Sequence, residues 1–346
     1  MKRFFRIFFF LLGVVCFASC SNDESPSEPG SVRVVFRLYV PAATTTTETR
    51  ADGHEEEQGE TWESSINLDQ LHIVLYAKNG KSIGGLESVK LVPTSTPNVY
   101  DVTGSILVNR LNLNNGKFVG RMMVYANIDG VKDADDFSEA NVNKLSFTAN
   151  TGKHAIPMWG VKTLNVGMEA GNQTYIGPIN LMRAEAKVKL FLRNDMEAYY
   201  ELTKVSLSEA NAQGYCLPQY SNVLRINDGV QELEHDAYAH FLMNNQKLTD
   251  IDMLNKAIYI PEFENKNNSN PTVILLSLRD KRDGKVRDFK LPFVQYDDQG
   301  APTKEAMDIV RNHYYQFEVY LNQDDMLSVK LVVRKWYVVR HPDIIM

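Results

Sequence analysis

Cysteine is nearly missing from this chain, with three in 346 residues, at positions 16, 20 and 216. Beyond the extreme N-terminus only Cys216 remains, so no disulfide framework can be built and packing must supply the stability. Long apolar runs are lacking too, since the stretch from Ile7 to Ala18 is too short to cross a bilayer as a helix. Neither sign of charge dominates: 37 Lys and Arg stand against 43 Asp and Glu, net −6, with the basic residues dispersed among acidic ones. No basic face for nucleic acid results, and nucleic acid is excluded as a partner.

Catalytic signatures are absent as well. There is no G-x-S-x-G, no H-E-x-x-H and no paired-cysteine motif, and the seven histidines are scattered. Gly80-Lys81-Ser82 has the ending of a phosphate-binding loop, but the glycine required five positions earlier is Leu75, so Asn79-Gly80 reads as a hairpin turn. His54 before Glu55, Glu56 and Glu57 has neither a rigid frame nor a second spaced histidine, and Asp129, Asp133, Asp135 and Asp136 lack the spacing of a calcium loop. Both groups read as solvated loop charges. Cys216 reads as a small buried apolar residue, because nothing beside it in sequence would activate a thiol. The expectation is a protein that is not an enzyme and needs no metal or cofactor.

What is present begins with an address. Met1-Lys-Arg-Phe-Phe-Arg6 precedes the apolar run, which is the layout of a secretory signal peptide over residues 1–19. Cys16-Phe-Ala-Ser-Cys20 resembles a bacterial lipobox, so cleavage before Cys20 would leave that cysteine as a lipidated, palmitate-bearing N-terminus. The acidic spacer Ser21 to Gly30 resembles the surface-export signals of Bacteroidetes lipoproteins, which implies a position outside the cell on the outer membrane.

Next comes Ser31-Val-Arg-Val-Val-Phe-Arg-Leu-Tyr-Val-Pro41, in which Val32, Val34, Phe36, Leu38 and Val40 recur at a spacing of two and share one face of an extended chain. Burial of each such side chain stabilises by roughly 1.5–3 kcal/mol, so this strand should belong to a packed sandwich. The following segment, 42–65, is polar and rich in Thr and Glu, the composition of a mobile loop open to proteases.

From residue 66 the chain reads as short strands punctuated by turns: His72 to Ala77, Ser88 to Val92, Val99 to Val102, Gly120 to Ala126, Ile156 to Val166 and Ile176 to Leu181. A second set follows, from Leu181 to Arg193, Tyr200 to Ser208, Lys256 to Ile260, Thr272 to Leu278, Val286 to Leu291, Arg311 to Leu321 and Leu327 to Val339. In the Leu181 to Arg193 strand, Ala186, Val188, Leu190 and Leu192 alternate with charged or exposed positions. Irregular structure or short helices are expected within 209–255, and a short helix over Glu305 to Val310. Many short strands without β/α alternation point to antiparallel sandwiches, with a boundary near residue 181.

Four motifs, in their order along the chain, carry a resemblance: Thr49-Arg50-Ala51 after the first strand, Ile156-Pro-Met-Trp-Gly160, Leu181-Met-Arg-Ala-Glu-Ala-Lys-Val188, and Arg311-Asn-His-Tyr-Tyr315. Together with the lipobox they resemble the fimbrillin family that builds type V pili in Bacteroidia. That resemblance implies an all-β chain of two tandem transthyretin-like antiparallel β-sandwich domains, here 51–180 and 181–346. It implies a lipidated propeptide, 20–50, that includes the first strand and is cut by an Arg-specific protease between Arg50 and Ala51. Loss of Val32, Val34, Phe36, Leu38 and Val40 would expose a groove for a strand of another fimbrial subunit.

The candidate donor is the 327–339 stretch, with Leu327, Val329, Leu331 and Val333 on one face and Val332, Trp336 and Val338 on the other. It serves equally as the closing strand of its own domain. The functional expectation is a fimbrial subunit supporting adhesion to a host or bacterial surface ligand. The alternatives are a pilus anchor that keeps its lipid, a tip adhesin, and a surface lipoprotein in which Trp62, Trp159 and Trp336 stack on glycans.

Overall fold

Alternating apolar and polar residues, interrupted by Gly, Pro and Asn at the turns, make nearly every regular element among the described residues a strand. The computed structural model describes residues 29–41, 59–128, 137, 141, 145–149, 155–218, 224–227, 230–233, 247–266, 268–322 and 327–335. Cys20, Arg50, Ala51, Trp336 and Val338 lie outside the described residues, as do His54, Asp129, Asp133, Asp135 and Asp136.

The first half of the chain supplies β1 (Ser31–Tyr39), β2 (Leu71–Ala77), β3 (Ser82–Gly85), β4 (Glu87–Pro93), β5 (Val99–Leu107), β6 (Leu113–Asn114), β7 (Lys117–Ala126), β8 (Ser146–Thr148), β9 (Met158–Gly167), β10 (Gln173–Asn180) and β11 (Met182–Arg183). The second half supplies β12 (Glu185–Leu192), β13 (Tyr200–Ser208), β14 (Ala210–Asn211), β15 (Gln213–Tyr215), β16 (Leu224–Asn227), β17 (Val230–Leu233), β18 (Lys247–Leu248), β19 (Ile251–Asp252) and β20 (Ile258–Pro261). It ends with β21 (Val273–Asp280), β22 (Val286–Pro292), β23 (Val294–Tyr296), β24 (Pro302–Ala306), β25 (His313–Leu321) and β26 (Leu327–Lys335).

In the first sandwich a sheet of order β10-β1-β5-β4 faces one of order β11-β9-β7-β2-β3, with β6 paired to β7. Phe36, Leu75, Phe118, Met122, Leu164 and Ile179 fill the space between them. In the second, β20-β12-β25-β26 faces β19-β13-β21-β22 over a core that includes Val188, Leu207, Ile274, Phe293 and Phe317. The halves repeat one arrangement. β1 runs parallel to β10 and antiparallel to β5, and β12 runs parallel to β25 and antiparallel to β20.

The halves are joined along their sides. Tyr76, Tyr125 and Trp159, on the outer face of the first sandwich, pack against Cys216, Leu217 and Val310 of the second. Beside them β8 pairs with β15, Ser146 opposite Tyr215. Arg311, fully buried, braces the second sandwich's side of this joint: Nη1 donates to the Cys216 carbonyl at 2.7 Å and Nη2 to the Tyr215 carbonyl at 2.8 Å, while Glu262 balances its charge. Gly160 permits a close approach nearby, since a Cβ there would sit 2.7 Å from the Asn180 carbonyl oxygen.

Several sequence expectations are corrected. Glu305 to Val310 is not a helix; β24 pairs Ala306 with Val294, and Ile309 bridges to Phe263, because Met307 and Ile309 are drawn into the core. The described residues of 209–255 contribute the short strands β14 to β19 where irregular structure or short helices were expected. The expected strand from Leu181 to Arg193 is two strands, because the chain pairs first with β9 and then, past Ala184, enters the second sandwich. Nor do charged residues in this stretch all face solvent, as Arg183, Glu185 and Lys187 are buried. The end of the supposed mobile segment 42–65 is ordered as a 3-10 turn, Thr61–Ser64, with Glu63 and Ser64 buried.

Candidate functional site

The first strand is the candidate site, and its strict alternation sets its place. Val32, Val34, Phe36 and Leu38 are wholly buried, Val40 is 2% exposed, and the residues between them are partly exposed. β1 lies within its sheet. It pairs with β5 along its whole length, from Ser31 opposite Leu107 to Tyr39 opposite Val99, and on its other side with β10, from Arg33 opposite Gln173 to Tyr39 opposite Asn180. Loss of such a strand would leave unpaired main-chain groups on both neighbours and an apolar slot between them. The five core-facing side chains together account for roughly 8–15 kcal/mol of burial, an upper figure comparable to the stability of a whole domain.

The strand ends in a polar latch. Ser64 Oγ and Arg183 Nη2 each donate to the Pro41 carbonyl at 2.8 Å; Arg183 also donates through Nη2 to Ser64 Oγ at 3.2 Å and through Nε to the Glu63 carbonyl at 3.1 Å. Burial lowers the Arg183 pKa to about 9, against the opposing pull of Glu63 and Tyr259. The Glu63 carboxylate accepts from Lys187 Nζ at 2.8 Å and from the Tyr259 hydroxyl. Burial, with Glu63 next, raises the Tyr259 pKa well above the usual phenol range. Since Lys187 lies on β12 and Tyr259 on β20, the latch ties the exit of β1 to the second sandwich.

Sequence reasoning missed this latch. Glu63 and Ser64 are embedded in a polar stretch, and the alternation of β12 marks Lys187 as outward-facing without revealing what covers that face. The one available signal was the run of charges at 183, 185 and 187 inside an otherwise apolar strand.

The other predicted residues fall as follows. β26 pairs antiparallel with β25, from Leu327 opposite Leu321 to Lys335 opposite His313, at the edge of its own sheet. Val329 is buried, and Leu327, Leu331 and Val333 pack partly buried on the second core. Trp159 is 1% exposed inside the joint, and Trp62 lies edge-on to Tyr259 at 4.8 Å, so both are occupied by packing. Cys216 is buried in that joint and its thiol is pushed up to about 12 by desolvation. Gly80 ends a tight turn, its N–H bonded to the Ala77 carbonyl.

The large buried polar groups described above hold main-chain carbonyls and one another, across sheets that pair nearly every strand. This is the construction of a tandem β-sandwich protein. A family model, that of the fimbrillin-A associated anchor proteins Mfa1 and Mfa2, matches residues 24–341, and the chain belongs to this family of fimbrial subunits. Such subunits are components of the cell-surface fimbrium. Among solved structures the fold is similar to a fimbrilin (FimA) from Porphyromonas gingivalis W83, at 16% identity and a TM-score of 0.51, covering 91% of this chain and 99% of that one. It is similar also to a cell adhesion protein from Parabacteroides distasonis ATCC 8503, at 14% identity and a TM-score of 0.51, covering 90% and 99%. No curated protein matches the chain.

Proposed function

We propose that this fimbrial subunit is exported as a lipoprotein precursor bearing its lipid on Cys20, is cut between Arg50 and Ala51 by an Arg-specific protease, and then polymerises by strand exchange. In this reading β1 is a temporary occupant of the first sandwich. Its release opens the slot between β5 and β10, and the 327–339 stretch of another copy fills it. The observation that carries the reading is the position of β1: a strand paired on both sides and buried on one face, attached to the rest of the chain through Pro41 and the segment that contains Arg50. A contact made head to tail between unlike surfaces propagates into a filament wherever its rotation does not close a ring. The assembled fimbrium would support adhesion to a host or bacterial surface ligand.

The Arg50→Ala variant tests this directly. It should accumulate as a full-length lipidated monomer on the outer membrane; filaments of cleaved-size subunits in that variant would refute the assigned cut. A second reading, favoured by the family's description as anchor proteins, is that the chain keeps its lipid and holds a fimbrium to the outer membrane. N-terminal sequencing of the surface protein separates the two. Ala51 marks a processed polymerising subunit, and a blocked, lipidated Cys20 marks an anchor.

A further inference from the structure

The slot that holds β1 is closed at one end by two buried donors aimed at a single carbonyl. Arg183 Nη2 and Ser64 Oγ both reach the Pro41 oxygen at 2.8 Å, and Arg183 is wholly buried. At the end of β1 main-chain ties extend the ladders by a residue: the Leu181 N–H donates to the Tyr39 carbonyl at 2.8 Å and the Val40 N–H to the Asn98 carbonyl at 2.9 Å. Pro41 is different, because its carbonyl is taken by side chains that approach from outside the strand's own sheet. A cation held away from water gains from an acceptor at that point, and a strand that replaced β1 could supply one.

Resting on the reading that β1 is exchanged for a strand of a second copy, we infer that Arg183 and Ser64 form a donor end site for a main-chain carbonyl or a terminal carboxylate, which favours an incoming strand long enough to reach it. The ligand class is an extended peptide main chain carrying an oxygen acceptor in the residue directly after the fifth core-facing position, the place of Pro41 after Val40. A slip of one residue would turn every apolar side chain out of the core. A slip of two keeps the faces but moves the strand relative to Arg183 by about two residues' rise, near 7 Å. The ladders tolerate that second error poorly discriminated, since main-chain groups repeat with the same period. Because the acceptor is a main-chain carbonyl, a strand that runs past the site satisfies it in either register; a strand that ends short of the residue after its fifth core-facing position leaves Arg183 without that oxygen. Its second role follows from the same contacts: Nε holds the Glu63 carbonyl, and the Glu63 carboxylate holds Lys187 and Tyr259, so an unfilled end site would be felt at the joint between the sandwiches.

The test uses the full-length chain cut after Arg50, in which β1 is retained without a covalent link. Fluorescent peptides of this sequence are exchanged against it: residues 31–40 as the amide, residues 31–41 as the amide, and residues 31–41 with a free carboxylate. The first keeps all five core-facing residues and the Val40 N–H but lacks the Pro41 carbonyl. The 31–41 amide should compete about tenfold to a hundredfold better than the 31–40 amide, and the free acid better still, because the bond to a guanidinium is charge-assisted. In Arg183→Met these differences should collapse, and Arg183→Lys should restore part of them. Equal competition by the 31–40 and 31–41 amides in the unsubstituted chain would overturn the end site, and that comparison stands even if the Arg183 variants do not fold. Failure of every peptide to enter a chain that circular dichroism shows to be folded would instead overturn strand exchange itself.

Discussion

Phe36→Ala should destabilise the precursor and leave the mature filament untouched. Phe36 is wholly buried at the centre of β1, directly opposite Val102 on β5, which is also wholly buried. Truncation of a buried phenylalanine costs about 3–5 kcal/mol, the sum of lost transfer free energy and a cavity that the neighbours fill only in part. With a urea dependence of about 1–3 kcal/mol per molar, the unfolding midpoint of the first sandwich in the full-length chain should fall by at least about 1 M. The assay is urea unfolding followed by tryptophan fluorescence, on the uncut precursor and on filaments of the cut protein. If β1 has left, its side chains no longer contribute, so filaments from the variant and the unsubstituted chain should share one midpoint. An equal shift in both would refute the proposal, because it would place Phe36 in the assembled subunit.

Other expectations are more local. Lys187→Met removes the ammonium that faces the Glu63 carboxylate in a site where both side chains are nearly inaccessible, and should destabilise the chain by about 3–5 kcal/mol, while Lys187→Met combined with Glu63→Gln should recover much of the loss in thermal melts. Cys216, with its thiol raised to about 12 by burial, should be almost wholly protonated at pH 8 and resist thiol reagents until the chain unfolds; rapid labelling of the native protein would contradict the closed joint. The sign of its linkage is fixed: stability from keeping this thiol protonated is full below the unfolded value near 8.5 and is lost as pH rises from there toward about 12.

The pattern of β1 was legible because a period of two, sustained over Val32 to Val40, leaves one arrangement for a buried face, whereas in Tyr200–Ser208 the alternation breaks at the irregularity between Leu202 and Lys204. What the sequence could not reveal was contact between two bodies. Arg183 and Lys187 alternate with apolar residues as solvent-facing charges do, yet a second sandwich and the Thr61–Ser64 turn cover that face and convert them into a joint. The same limit applies at Glu305 to Val310, where a helix was expected and the chain is instead held by pairing of Ala306 with Val294 and of Ile309 with Phe263. Local preference of that size is readily overridden by tertiary pairing.

The register of β1 also has a mechanical meaning. Because its bonds to β5 run from Ser31 through Tyr39 without interruption, a pull along the strand axis loads the whole ladder at once, in shear, instead of opening it one bond after another. A strand seated there departs in one concerted slip or not at all. If strand exchange makes the filament, the same geometry that makes the seat slow to vacate makes each link slow to break under flow, and tension on the fimbrium is borne by main-chain bonds acting side by side.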